Sequence, residues 1–394
     1  MPVTKLAIRN LTLLFGSSMS VLAAVVITPS LPDMTAAFKD IPNAEFLVRM
    51  TLTLPALFVA IGAPFFGMLL DKWGRRPVLI GSLFLYGVSG TSGFYLESLT
   101  AILVGRALLG LSVAGIMSGF TTLIADYFTG SKLSQFMGYQ GAFIGAGGVV
   151  FVLLAGVLAD VNWRLPFLIY AASLFILPTF LLSVSEPEIK SKVAKAVKSV
   201  LPVKTLSLVF AAAFSGMLIF FIFPVQLPFY LTQAGASNTE VGVAFSLQAL
   251  VAVVTAWQYR RFKARFSFHT IAAFTFLTFG VNHLIVSLSP DFGLVLVGML
   301  LGGIGLGVVP PNLNTWVASV APPLLRGRAV GLMTTFLFLG QFSAPIFSQP
   351  IVAGAGFNFT FVFFGIAALI LSIAFLGMTL RQRNEQPSSA VHIS

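Results

Sequence analysis

The chain has 394 residues, no cysteine, three histidines and only twelve acidic residues. The lack of cysteine excludes disulfides, thiolate nucleophiles and thiolate metal ligands. The histidines, His269, His283 and His392, are not grouped with acids in a ligand-like spacing. We therefore expect no metal site, no nucleophile–base pair and no cofactor, and a protein that is not an enzyme.

Charge is scarce along the whole chain. Charged residues make up 9% of it and hydrophobic residues 57%, with 40 phenylalanines, whereas an ordinary soluble domain is about 25% charged. This composition indicates an integral membrane protein that crosses the bilayer many times. The phosphate-binding pattern G-x-x-x-x-G-K-[ST] is absent from the sequence, which disfavours ATP as a source of energy.

Long apolar segments predict the architecture. A helix needs about 20 apolar residues to cross the hydrocarbon layer, and helices are expected because lipid satisfies no backbone group. The sequence predicts an all-α integral membrane protein with 12 transmembrane helices, near residues 9–32, 46–70, 77–96, 99–125, 134–158, 165–184, 205–232, 239–259, 269–288, 292–318, 328–352 and 357–380. In span ten, the glycines predict close helix packing, and Pro310 and Pro311 predict a break.

Basic residues predict the orientation of these spans. Most of the 23 lysines and arginines fall in one set of loops if the N-terminus is cytoplasmic, as the positive-inside rule requires. We therefore expect a multi-pass protein of a bacterial-type inner (plasma) membrane, with both termini in the cytoplasm. The same bias accounts for the net charge of +11, so the expected partner is the lipid bilayer rather than nucleic acid.

The two halves of the sequence resemble each other at a constant offset. LVGRALLG begins at Leu103, and LVGMLLGG begins at Leu296. Arg106 of the first copy corresponds to Met299 of the second, so charged residues are kept mainly in the first half. The repeat predicts two pseudo-symmetric six-helix bundles. The predicted N-terminal bundle, cytoplasmic linker and C-terminal bundle with a short cytoplasmic tail are residues 1–184, 185–204 and 205–394.

The loop between spans two and three carries the most specific motif. It reads GMLLDKWGRR and fits the spacing G-x-x-x-D-[RK]-x-G-[RK]-[RK]. In this loop of a twelve-span chain, the motif resembles the signature of the major facilitator superfamily. Two further stretches, LVGRALLGLSVAG in span four and GYQGAFIGAGGVV in span five, resemble motifs of its 12-span drug:proton antiporter branch. The span-five residues are Gly141, Gly145 and Gly148, and Ala146 stands where proline is usual.

This resemblance implies a conformational gate. Asp71 is expected to dock across the boundary between the bundles, at the start of span eleven near Gly327 and Arg328, because a helix N-terminus carries partial positive charge and free N–H groups. Arg75 is expected to pair with Asp126. The alternative is that the bases of this loop only set topology. The predicted gate residues are Gly67, Asp71, Gly74, Arg75, Arg76 and Asp126.

Polar side chains inside apolar spans are candidates for contact with substrate or protons. We expect Arg106, inside span four, to face a cavity; the alternative is that it reaches back to the outer surface. The other candidates, each of which can instead join helices, are Gln226, Tyr230, Gln248, Asn312 and Gln341. Span centres contain no acid. Glu45 and Arg49 are expected to form a surface pair, and His283 to be a packing residue.

The resemblance implies a secondary active transporter that exports small amphipathic or drug-like molecules by alternating access, through proton-coupled antiport. The alternative is a facilitator or proton symporter for a specific polar metabolite, because span five departs from the antiporter motif and no mid-span acid is present. The expected partners are a small-molecule substrate and protons, and the chain is expected to act as a monomer.

Overall fold

The structure is a computed structural model that describes residues 3–187, 202–322 and 325–385. Within these residues, eleven helical segments are long and apolar enough to cross a membrane. The last of them, Arg326–Glu385, has 60 residues and is divided by the non-helical Gly356 (φ 80°). A 60-residue helix would be about 90 Å long, three times the thickness of the hydrocarbon layer, so this segment contains two spans. The predicted all-helical architecture with twelve spans is therefore present.

The spans are named α1 to α12 in chain order. They are α1 Val3–Val25, α2 Ala44–Trp73, α3 Arg75–Gly90, α4 Leu99–Tyr127, α5 Gly130–Val161, α6 Ala172–Ser183, α7 Val203–Gln233, α8 Asn238–Arg265, α9 Phe268–Leu288, α10 Phe292–Val320, α11 326–355 and α12 357–385. Short helical segments extend α1 (Thr28–Ser30 and Leu31–Ala37), α3 (Ser92–Tyr95) and the start of α6 (Leu165–Ala171).

Short connections make neighbouring spans antiparallel, so the turns alternate between two faces of the molecule. Only Gly74, with φ 91°, separates α2 from α3. We call this end the basic face, because Lys72, Arg75 and Arg76 lie there, as do the bases of the α8–α9 and α10–α11 turns. The opposite end is called the distal face.

Most packing occurs within two halves, α1–α6 and α7–α12. Between the halves, contact is concentrated along two helix pairs, α2 with α11 and α5 with α8. We call this boundary the seam. The predicted linker 185–204 falls mostly outside the described residues, and the predicted limits of the two bundles stay a prediction.

Glycines in α10 allow the close packing that the sequence predicted. A Cβ atom at Gly303 would lie 2.6 Å from the carbonyl oxygen of Gln248, and one at Gly307 would lie 2.3 Å from that of Ala252. The predicted break at Pro310 and Pro311 is wrong, since α10 is helical throughout Phe292–Val320. Packing against neighbouring helices keeps a proline-containing span helical.

Gly110 provides a test of this close packing. A Cβ atom there would lie 2.3 Å from the carbonyl oxygen of Pro55 in α2, and backbone cannot move aside as a side chain can. We expect Gly110→Ala to destabilise the protein by about 1–3 kcal/mol, measured as a lowered Tm in detergent. The control is Gly138→Ala in α5, where no atom lies within 4 Å. Equal Tm values for the two variants would contradict the close α2–α4 contact.

Candidate functional site: the seam between the halves

Helices α5 and α8 touch closely in the distal part of the seam. Ser246 of α8 donates a hydrogen bond to the carbonyl oxygen of Val149 at 2.9 Å. A Cβ atom at Gly156 would lie 3.1 Å from the Cα atom of Gly242. Nearer the basic face, a Cβ atom at Gly145 would still lie 2.2 Å from Val253 of α8, whereas one at Gly141 would meet no atom within 4 Å.

The first turn of α8 is bound by two carboxylates from the other half. Asp160, at the end of α5, accepts hydrogen bonds from the backbone N–H groups of Asn238 at 2.8 Å and Thr239 at 3.1 Å, and from the Thr239 hydroxyl. The Asn238 side chain donates to Asp33 at 2.7 Å. A carboxylate is stabilised at a helix N-terminus by free N–H groups and the helix dipole. We call this set of contacts the α5–α8 latch.

Arg49 closes the distal end of the other helix pair. Its side chain is 1% exposed, and Nε donates to Oε1 of Gln226 in α7 at 2.9 Å. Its guanidinium carbon lies 3.8 Å from the ring centroid of Phe229, and Nη1 lies 3.4 Å from the Glu45 carboxylate. Gln226 in turn donates to the hydroxyl of Ser348 in α11 at 2.8 Å. The side chain of Arg49 therefore joins α2 to the C-terminal half.

The prediction that Glu45 and Arg49 form a surface pair is thus wrong for Arg49, which is buried. Glu45 itself is exposed, but its carboxylate also accepts a hydrogen bond from Gln349 of α11 at 3.0 Å, so it too reaches across the seam. The four-residue spacing correctly places the two side chains on one helical face. It carries no information that this face packs against α7, which is 177 residues away in the chain.

At the basic face the halves are apart. Among the described residues, every hydrogen bond that crosses the seam lies in its distal part. Cβ atoms at Gly67 and Gly327 would meet no atom within 4 Å. The Asp71 side chain is 82% exposed, and its carboxylate lies 3.6 Å from Arg75. The predicted docking of Asp71 on α11 is therefore not made in this conformation.

The other charged residues of the predicted gate form their contacts within the N-terminal half. Arg75 Nε donates to Asp126 at 2.9 Å, which is the pair expected from the sequence. The backbone N–H groups of Arg75 and Arg76 donate to Glu186 at 2.6 and 2.7 Å, so this carboxylate caps the start of α3. A Cβ atom at Gly74 would lie 2.7 Å from Glu186, and φ 91° also favours glycine there. Glu186 was missed because it lies 111 residues from Arg75 in the sequence.

Arg106 lies inside the N-terminal half rather than on a cavity surface. It is 0% exposed, and it donates to the carbonyl oxygens of Thr51 at 2.7 Å and Ala23 at 3.0 Å. Its guanidinium carbon is 5.2 Å from the ring centroid of Tyr170. The expectation of a cavity-facing arginine is therefore not met in this conformation, and Arg106 joins α1, α2 and α4.

Most of the other predicted cavity residues connect helices of the C-terminal half. Tyr230 accepts a hydrogen bond from Asn358 at 3.1 Å, and Asn312 donates to the carbonyl oxygen of Phe268 at 3.2 Å. Gln248 and Gln341 are buried. Gln226 alone of this set has a hydrogen bond across the seam among the described residues.

His283 and the span-five glycines have packing positions. His283 is buried, its Nδ1 donates to the carbonyl oxygen of Phe279 at 2.8 Å, and its ring lies 4.2 Å from that of Phe223. His283 therefore lies in a packed environment, as expected. Gly145 lies against Val253 across the seam, and Gly148 lies against Val21 of α1.

The model of the Major Facilitator Superfamily matches residues 13–280 and 208–392, which together span nearly the whole chain. The chain belongs to the Major Facilitator Superfamily. This transporter is 24% identical over 346 residues to the quinolone resistance protein NorA of Staphylococcus aureus (strain COL), with 83% of this chain and 85% of NorA covered. It is 25% identical over 366 residues to the multidrug resistance protein MdtG of Proteus mirabilis (strain HI4320), with 89% and 90% covered.

The fold also matches a solved structure. The crystal structure of a D-xylose-proton symporter gives a TM-score of 0.76 at 14% identity, with 94% of this chain and 97% of the symporter covered. An identity this low shows the fold alone. By its family, the chain is a multi-pass membrane transporter and not an enzyme, and its curated relatives at low identity include a quinolone resistance protein and a multidrug resistance protein of bacteria.

Replacement of Asp160 tests the α5–α8 latch. Asp160→Asn removes the charge and one acceptor oxygen, and a hydrogen bond to a charged group contributes about 1.5–3 kcal/mol. Since the chain has no cysteine, Ser246→Cys introduces a single thiol at a seam position that is 7% exposed. We expect Asp160→Asn to accelerate maleimide labelling of this thiol at least about tenfold.

Asp291→Asn is the matched control for this labelling experiment. Asp291 is also a distal carboxylate, but it caps α10 in its own half by accepting from the N–H of Leu294 at 3.0 Å. Its replacement should leave labelling unchanged. If Asp160→Asn and Asp291→Asn gave the same labelling rate, Asp160 would have no part in distal closure.

Proposed function

We propose that this transporter exports small amphipathic or drug-like molecules by alternating access, driven by proton antiport. The observation that carries the proposal is a seam joined at the distal face and open at the basic face. The positive-inside rule puts the basic face in the cytoplasm. In that orientation, the conformation is inward-facing and accepts substrate from the cytoplasm or the inner leaflet. The names of NorA and MdtG, which refer to quinolone and multidrug resistance, support drug-like molecules as the substrate class.

Alternating access would use the same kind of contact at both faces. In the inward-facing state, Asp160 binds the start of α8. In the outward-facing state, we propose that Asp71 binds the start of α11, near Gly327 and Arg328. Each latch places a carboxylate of the N-terminal half at a helix N-terminus of the C-terminal half. Since the two latches are chemically similar, each would stabilise its own state by a comparable amount, and differential binding of substrate or protons can shift the populations.

Proton antiport rests on the resemblance to the drug:proton antiporter branch. Among the residues that the structure describes, the acids lie at the ends of spans or in their connections, and none lies at the centre of a span. The carboxylates of the latches, together with Glu45, are therefore the acids that change partner when the halves rock. Gate residues Arg75, Arg76 and Asp126 would keep the loop that carries Asp71 in position in both states.

Reconstituted flux measurements test the direction and the driving force. In proteoliposomes that contain transporter of inside-out orientation, an acidic interior should drive accumulation of a fluoroquinolone or a cationic dye. A protonophore should abolish this accumulation. A facilitator would equilibrate its substrate regardless of the pH gradient, and a symporter would move it with protons, out of the acidic interior. Either of these outcomes would refute antiport.

Asp71→Asn tests the proposed outward-facing latch. The loss of one charge-assisted hydrogen bond, about 1.5–3 kcal/mol, should lower the population of the outward-facing state. We expect export of the same substrates to fall at least about tenfold, with expression unchanged. Glu97→Gln, which alters an exposed acid at the distal face, is the control and should export normally. Normal export by Asp71→Asn would show that this carboxylate is not part of the gate.

A further inference from the structure

Bases cluster at the basic face of the C-terminal half, and none of the ion pairs among the described residues involves them. In the N-terminal half, the Arg75 guanidinium is paired with Asp126, and Glu186 accepts from the backbone N–H groups of Arg75 and Arg76. The C-terminal half has bases at the ends of α7, α8 and α11, namely Lys204, Arg260, Arg261, Lys263, Arg265, Arg326 and Arg328. The acids between positions 202 and 384 are Glu240 and Asp291, and both lie at helix starts on the distal face.

A pocket of about 470 Å³ opens among these bases. It lies between the first turn of α7, the α8–α9 turn and the last turn of α10, well away from the α5–α8 latch. Lys204 and Lys263 line it from two sides, Thr205, Ser267 and Ser319 supply hydroxyl groups, and Trp316 forms part of its wall. No acid is among its lining residues in the described part of the chain.

Aromatic packing fixes the position of one of the lysines. Lys263 Nζ lies 4.0 Å from the ring centroid of Phe268 and 3.4 Å from the carbonyl oxygen of Phe266. The Phe268 ring stacks parallel to Trp316, with 5.9 Å between centroids. A lysine held over an aromatic ring remains able to donate hydrogen bonds to an anion.

We propose that this pocket binds a phosphate group through Lys204 and Lys263, and that the phosphate belongs to the headgroup of an anionic membrane lipid. The ends of transmembrane helices lie at the level of lipid headgroups, and basic pockets between spans on the cytoplasmic side suit anionic headgroups. The hydroxyl groups of Thr205 and Ser267 can donate to the remaining phosphate oxygens. A soluble phosphate compound shares this chemistry, so the experiment separates the two sources.

Thermal unfolding of the purified full-length chain in an uncharged detergent measures the binding. Dioctanoyl phosphatidylglycerol should raise the Tm in a saturable way, whereas dioctanoyl phosphatidylcholine and inorganic phosphate should not. A basic residue near an anionic surface contributes about 1 kcal/mol, which is about fivefold in affinity. The double variant Lys204→Gln/Lys263→Gln should therefore need roughly 30-fold more phosphatidylglycerol for half of the shift.

Two further variants make the result specific. Lys204→Arg/Lys263→Arg keeps both charges and should respond like the wild type, which also controls for folding. Lys132→Gln removes an exposed lysine from the basic face of the other half and should change nothing. An undiminished phosphatidylglycerol response in the double glutamine variant, or an equal response to phosphatidylcholine, would overturn the site. A lysine-dependent shift with inorganic phosphate would overturn the lipid as its ligand.

Discussion

The contact between Asp160 and the first turn of α8 holds the conformation in which the molecule is found. It joins the two halves at one end of long, stiff helices, so it sets the positions of their other ends. Gly156 and Gly242 are in backbone contact, whereas a Cβ atom at Gly141 would meet no atom within 4 Å. These two positions of α5 are separated by about 22 Å of helix, at 1.5 Å per residue. A modest angle between two helices held at the distal face therefore opens the whole basic face.

The contacts of Arg49 are the second set that joins the halves at the distal face. The cost of burying the Arg49 guanidinium limits how much these contacts stabilise the closed form. A guanidinium taken out of water loses hydration, and this loss must be offset by hydrogen bonds and by nearby negative charge. Here the offset comes from a neutral amide, an aromatic face and the exposed carboxylate of Glu45. When the distal face opens, Arg49 loses its contact with Gln226 but regains water. The closed form is therefore stabilised by a difference between large opposing terms, which suits a protein that must leave each state within a transport cycle.

Local sequence patterns were sufficient to predict some features of this molecule. Apolar length predicted twelve spans, and the motif around Asp71 predicted the family and the pairing of Arg75 with Asp126. Contacts across the seam were not predictable, because no periodicity within α2 or α5 indicates which helix of the other half faces Arg49 or Asp160. The position of Asp71 depends on the conformation, so one sequence is compatible both with docking on α11 and with exposure to solvent. The prediction of a break at Pro310 and Pro311 was wrong for a related reason, since tertiary packing overrides the local tendency to break a helix.

The division of charge between the halves allows the contacts across the seam to break and form again. The N-terminal half supplies the carboxylates, and the acid-poor C-terminal half supplies helix starts with free N–H groups. When Asp160 leaves α8, that helix keeps its own cap, because the Ser237 hydroxyl accepts from the N–H of Glu240 and the Glu240 carboxylate accepts from the N–H of Ser237. The N–H groups of Asn238 and Thr239 lie at the molecular surface, where water can replace the carboxylate. Release of Asp160 thus leaves these N–H groups to water, and a rocking motion can break this contact and form it again without unfolding either helix.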